Sequence, residues 1–104
     1  MVNLEILVRI STEHRHEFMQ AFEMFSMKQA KGDECTGACL DRSIFECIGT
    51  ANCFLWLEQW TDFESLDAYM QTNHFKAILG ALQVLGNLVA IHKGELSELS
   101  ADSI

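Results

Sequence analysis

Hydrophobic and polar positions alternate from Val2 to Ile10, with Val2, Leu4, Ile6, Val8 and Ile10 on one side and Asn3, Glu5, Leu7 and Arg9 on the other. This period of two predicts a strand with two different faces. The period then lengthens. Ser11 or Thr12 can cap a helix running to about Lys31, on which Phe18, Ala21, Phe22 and Phe25 form an apolar stripe with Met19, Met24 and Met27 beside it. Gly32 is a fitting stop. Gly37–Ile48 reads as a second strand, with Leu40 and Ile44 on one face and Cys39, Phe45 and Cys47 on the other, although the charged Asp41 and Arg42 blur the pattern. Residues Gly49–Asn52 then turn the chain.

From Asn52 to Trp60 the alternation returns in its clearest form. Asn52, Phe54, Trp56, Glu58 and Trp60 share one side, and Cys53, Leu55 and Leu57 the other. Thr61 and Glu64 have the spacing of a capping box, so the strand is expected to hand over directly to a helix through about Met70. A further helix is expected from Thr72 or Asn73, with Phe75, Ile78, Leu79, Leu82 and Leu85 at helical spacing before Gly86. Leu88–Leu96 closes the chain as a fourth strand, and 97–104 reads as a frayed or partner-contacting tail. The order β-α-β-β-α-α-β is that of an α+β, ferredoxin-like split unit with a four-stranded antiparallel sheet. At 104 residues, and with no internal repeat, the whole chain 1–104 is read as one domain.

In that topology the first and third strands are antiparallel neighbours, and helices cover one sheet face. The aliphatic Cys53, Leu55 and Leu57 suit a helix-covered face. The aromatic side would then join Asn3, Glu5, Leu7 and Arg9 on the uncovered face, with Glu5 the expected neighbour of Glu58. An exposed Phe54 and Trp56 would need a cover, and a second copy of the chain supplies one. A homodimer is the expectation.

Composition narrows the function classes. Seven basic against fifteen acidic residues give a formal charge of −8, which repels phosphate backbones and anionic membrane surfaces. Neither nucleic acid nor membrane is expected as a partner. The first ten residues carry both an acid and an arginine, unlike a signal peptide or a membrane span, so a cytoplasmic location is expected. Cys35, Cys39, Cys47 and Cys53 contain no C-x-x-C and read as reduced, buried thiols, with Cys53 on the helix side of its strand. His14 and His16 stand two apart on a helix and point in different directions, so no metal site is expected from them. No Gly-rich turn opens a helix, so no flavin, nicotinamide or other cofactor is expected.

The order Glu58-x-Trp60, a polar cap, a short helix through Tyr69 and then Asn73-His74-Phe75 resembles the antibiotic biosynthesis monooxygenase family. The resemblance implies a dimeric α+β barrel, in which two sheets pack face to face and a small-molecule site lies between each sheet and its own helices or at the barrel mouth. It also implies that Trp60 lines a substrate cavity and that His74 stands where many members carry histidine. The haem-degrading branch is not matched, since its defining positions correspond to Val8, Tyr69 and Leu79. Of the residue set of the quinone-forming branch only Trp60 is present, Trp56 and Leu66 standing in place of an asparagine and a tyrosine.

The candidate proton-handling residues are Glu58, a carboxylate among aromatics, and His74, an imidazole. Trp60, Tyr69, Trp56, Phe54, Asn52 and Arg9 are the candidate contacts for a small hydrophobic or aromatic ligand, with Arg9 also a candidate cation for Glu58. The leading reading is a cofactor-independent monooxygenase-like enzyme acting on an aromatic or quinol-like molecule. The alternatives are a non-catalytic ligand-binding dimer, and an isomerase or metabolite-processing enzyme on the same fold.

Overall fold

The computed structural model describes residues 1–30 and 39–95, and the side chains of all of these except 26–30. The expected start of the second strand at Gly37, the stop at Gly32, Cys35 and the 97–104 tail lie outside these residues. The chain forms β1 (Val2–Ile10), a 3-10 turn (Thr12–His14), α1 (Arg15–Ala30), β2 (Cys39–Glu46), β3 (Cys53–Trp60), α2 (Phe63–Met70), α3 (Asn73–Leu85) and β4 (Gly86–Glu95). The four strands make one antiparallel sheet in the order β2-β3-β1-β4, with the helices on one face. This is the expected ferredoxin-like α+β arrangement. Among the described residues no helix is long and apolar enough to cross a membrane.

The two faces of β3 are exchanged relative to the expectation. β1 and β3 pair so that Val2 is opposite Trp60, Leu4 opposite Glu58, Ile6 opposite Trp56 and Val8 opposite Phe54. Residues directly opposite one another share a face, so the branched side of β1 and the aromatic side of β3 form one surface. That surface lies under the helices: Leu4, Ile6 and Val8 are wholly buried, and Phe54, Trp56 and Trp60 nearly so. Phe18 meets Phe54 at 4.7 Å between ring centroids, and Phe22 meets Trp56 edge-on at 5.0 Å. The aromatic stripe of α1 needs large flat partners to fill the layer between helix and sheet, and the tryptophans supply them. Leu7, Leu55 and Leu57 therefore occupy the outer face, with Asn3, Glu5, Arg9 and Cys53. A shift of one residue in register reverses every side chain, which is why alternation alone left the choice open.

Local signals at the helix ends are also refined. The N-cap of α2 is Asp62, whose carboxylate accepts from the Ser65 amide at 2.7 Å, while the Thr61 hydroxyl donates to Asp62. An ionised carboxylate is a stronger acceptor at the positive end of a helix than a hydroxyl, so Asp62 displaces the expected Thr61 box. Those contacts hold its pKa below the ordinary carboxylate value. Thr72 caps α3 by accepting from the Phe75 amide at 3.1 Å.

Gly86 begins β4 at once instead of ending α3 with a loop. It pairs with Ile10, and a Cβ there would meet the Arg9 carbonyl oxygen well inside van der Waals contact and lie 2.8 Å from the Ile10 Cα. Both obstacles are backbone, so neither can rotate away. Gly86→Ala is accordingly expected to cost about 2 kcal/mol or more of unfolding free energy. A urea melt with an unchanged midpoint would show that the α3–β4 junction yields more easily than this geometry implies.

Candidate functional site

Trp56, Glu58 and Trp60 stand two residues apart on β3 and so project together from the helix-covered face. An acid in such a layer needs donors, because an unpaired buried charge is among the most costly groups a fold can hold. It receives three. Glu58 Oε2 accepts from Arg42 Nε at 2.9 Å and from Trp56 Nε1 at 2.8 Å, and Oε1 accepts from Trp60 Nε1 at 3.0 Å. Glu58 is fully buried and the Arg42 side chain only 4% exposed, so this ion pair is screened from water.

Arg42 extends the network to the helices. Its Nη2 donates to the Tyr69 hydroxyl of α2 at 3.1 Å, and its Nη1 to the Phe25 carbonyl of α1 at 3.1 Å. The guanidinium carbon lies 5.7 Å from the centre of the Trp56 ring. Above this polar layer Trp60 and Tyr69 stack at 4.7 Å and 32°. His74, in the first turn of α3, completes the group, 5.4 Å from the Phe25 ring centroid and 6.1 Å from that of Tyr69. His74 is half-buried, whereas Glu58, Trp56 and Trp60 are enclosed.

Five of the expected residues, Glu58, Trp60, Trp56, Tyr69 and His74, thus come together. Two expected neighbours of Glu58 do not. Glu5 pairs with Leu57 on the outer face, so the two carboxylates lie on opposite sides of the sheet and no shared-charge repulsion arises. Arg9 is likewise on the outer face, opposite Cys53, and the cation beside Glu58 is Arg42. Arg42 was legible only as an interruption of a strand pattern. The signal that finds it is the hairpin itself, since folding the chain about its turn puts Arg42 opposite Glu58.

Phe54 belongs to the same face but to the other end of β3, under Phe18 and 5.2 Å from the Arg15 guanidinium carbon. Asn52 is not a strand residue: it adopts φ 63, a left-handed conformation that asparagine tolerates better than most residues. Its amide donates to Glu46 at 2.9 Å, its Oδ1 accepts from Arg15 at 3.0 Å, and its Nδ2 donates to Thr12 at 2.8 Å. Arg15 grips Glu46 through both terminal nitrogens at 2.6 Å. That bidentate bond, with the Asn52 amide, holds the Glu46 carboxyl down at about 2. Asn52 and Arg9 line a separate hollow of about 310 Å³ with Ser11, Thr12 and Asn87.

The buried pair carries a direct test. Glu58→Gln keeps the shape but places an amide nitrogen among N–H donors and leaves the Arg42 charge uncompensated, a change expected to cost about 3 kcal/mol. Adding Arg42→Met should recover part of that loss, as removing both charges of a buried pair often does. Equal stability of Glu58→Gln and the parent in a urea titration would mean that the pair does not anchor this layer.

The family model described as antibiotic biosynthesis monooxygenase matches residues 1–81. The chain is 29% identical over 99 residues to a protein of Bacillus subtilis strain 168 called "Putative monooxygenase YcnE", covering 94% of this chain and 100% of that one. Among solved structures, a conserved protein from Methanosarcina mazei Go1 superposes with a TM-score of 0.75 at 21% identity, over 90% of each chain. One from Deinococcus radiodurans, titled a "putative antibiotic biosynthesis monooxygenase", superposes at 0.73 with 23% identity, over 91% of each. With the family model matching most of this chain and the same fold in these structures, the chain belongs to the antibiotic biosynthesis monooxygenase family.

Proposed function

We propose that this protein is a cofactor-independent monooxygenase that oxidises a quinol-like or electron-rich aromatic small molecule, working as a homodimer. The observation that carries the reading is the buried Glu58–Arg42–Tyr69 network ending beside the half-buried His74. Removing the proton of a phenol raises the electron density of its ring, and such a ring can itself reduce oxygen. The protein then has to bind the ring, keep water away and take the proton.

Each part has a candidate. Trp60 and Tyr69, buried and stacked on each other, are the aromatic surface that a flat substrate entering beside His74 would meet. An imidazole can accept a proton, and His74 is the member of the group with access to the surface. Glu58 accepts three hydrogen bonds and is sealed from solvent, which suits holding Arg42, and through it the Tyr69 hydroxyl, in place. Glu58 and Arg42 are positioning residues in this reading, and His74 is the base.

The family is typically dimeric, and the outer sheet face supports the same arrangement here. The half-buried Leu7, Leu55 and Leu57 lie at its centre, with Phe45 54% exposed at its edge. The apolar content of that face, and not Phe54 or Trp56, is what a second sheet would cover. Sedimentation equilibrium at micromolar concentration should give twice 11.8 kDa. A mass of 11.8 kDa alone would remove the barrel from the proposal.

Activity is tested by oxygen uptake with a panel of substituted hydroquinones. Turnover with at least one of them is expected, and His74→Gln should lower kcat about 100-fold while leaving Glu58 and the dimer intact. Undiminished turnover in that variant would exclude His74 as the base. The saturation and burial of Glu58 also favour a second reading, a ligand-binding dimer without turnover. Saturable NMR shifts of the tryptophan indoles, with no oxygen uptake across the panel, would select it.

A further inference from the structure

The hairpin that joins β2 to β3 brings two thiols into register. Glu46 is opposite Phe54, so one step nearer the turn Cys47 faces Cys53, and the Cys47 amide donates to the Cys53 carbonyl at 2.8 Å. Directly opposed residues of an antiparallel pair have Cα atoms about 4.5 to 5.5 Å apart. A disulfide spans about 4.4 to 6.8 Å between Cα atoms. Opposed side chains leave on the same face, and both cysteines are free thiols. The Cys53 thiol beside it, together with burial, raises the Cys47 thiol above its usual pKa.

The backbone around them is held. Gly49 at φ 86 and Asn52 at φ 63 shape the turn, and the Asn52 amide is tied to Glu46, which Arg15 grips in turn. The two residues are therefore kept opposite each other by the hairpin backbone. Cys53 is 8% exposed and Cys47 half-buried, so an oxidant reaches Cys47 first.

We propose that Cys47 and Cys53 form a reversible dithiol–disulfide pair, a redox modification site at the base of the β2–β3 hairpin and separate from the Glu58 cluster. With a peroxide as oxidant, the Cys47 thiolate attacks one oxygen and the O–O bond breaks. Sulfur is oxidised to a sulfenic acid, and the other oxygen leaves as water with the thiol proton. The Cys53 sulfur then displaces the sulfenic hydroxyl, forming the S–S bond and releasing a second water. Two thiols lose two electrons, and one peroxide is reduced to two waters. A dithiol reductant reverses the result by exchange.

The sequence makes the test clean, because cleavage after Arg42 and Lys76 releases Ser43–Lys76, a tryptic peptide whose only cysteines are Cys47 and Cys53. The reduced full-length protein is treated with hydrogen peroxide, then alkylated, digested and weighed. Peptide 43–76 is expected to be lighter by two hydrogens and closed to alkylation, and to become doubly alkylated when dithiothreitol precedes the label. Cys53→Ser should abolish the closed peptide and leave Cys47 trappable by a sulfenic-acid reagent. The proposal is overturned if the wild-type peptide stays fully alkylatable, carries sulfinic or sulfonic acid without closure, or joins the Cys35 and Cys39 peptide instead. The wild-type mapping decides the matter even if the serine variant fails to fold.

Discussion

The pairing of Glu58 with Arg42 is the interaction on which the rest of the helix–sheet layer depends. A carboxylate and a guanidinium are both withdrawn from water there, and each loses several kcal/mol of hydration that only close and complete pairing can offset. The completeness is visible. Both carboxylate oxygens are used, by one guanidinium and two indoles, and the guanidinium reaches both α1 and α2 as well as β3. One salt bridge thereby sets the relative positions of four elements. It does so with direction, which the surrounding apolar packing lacks, since dispersion and hydrophobic burial are indifferent to small rotations of a ring.

That directionality bears on the proposed function. Trp60 and Tyr69 would be adequate core residues in any orientation that filled the space. Here the Trp60 indole is turned by its bond to Glu58, and the Tyr69 hydroxyl by its bond to Arg42. A core built only for stability gains little from such a network, because apolar residues of similar volume commonly do as well. A core that must present aromatic walls at a set angle gains from rigid supports behind them.

The far end of the sheet is organised by different physics. Arg15, Glu46 and Asn52 also form a closed set of hydrogen bonds, but Arg15 and Glu46 side chains are 43% and 33% exposed. Solvent screens such a pair, and its value lies in geometry more than in energy. It secures the left-handed Asn52 and so the register of the hairpin, which is what sets Arg42 opposite Glu58 and Cys47 opposite Cys53.

Only the family resemblance pointed to a gathering of Glu58, Trp60, Tyr69 and His74; the element order and the antiparallel pairing of the first and third strands were legible in the sequence itself. They depend on local periodicity, capping and topology, which a short stretch of chain expresses by itself. Which face of β3 is covered was not, because a period of two defines two faces and assigns neither to the core. That assignment came from the aromatic stripe of α1 and from the register with β1, both properties of residues distant along the chain. The same reason separates Glu58 from Glu5 and Arg9 and gives it Arg42. Sequence alternation determined that an acid would stand among tryptophans, and only the tertiary structure decided what would neutralise it, because the cost of a buried charge is settled by whatever donor the neighbouring strand brings within reach.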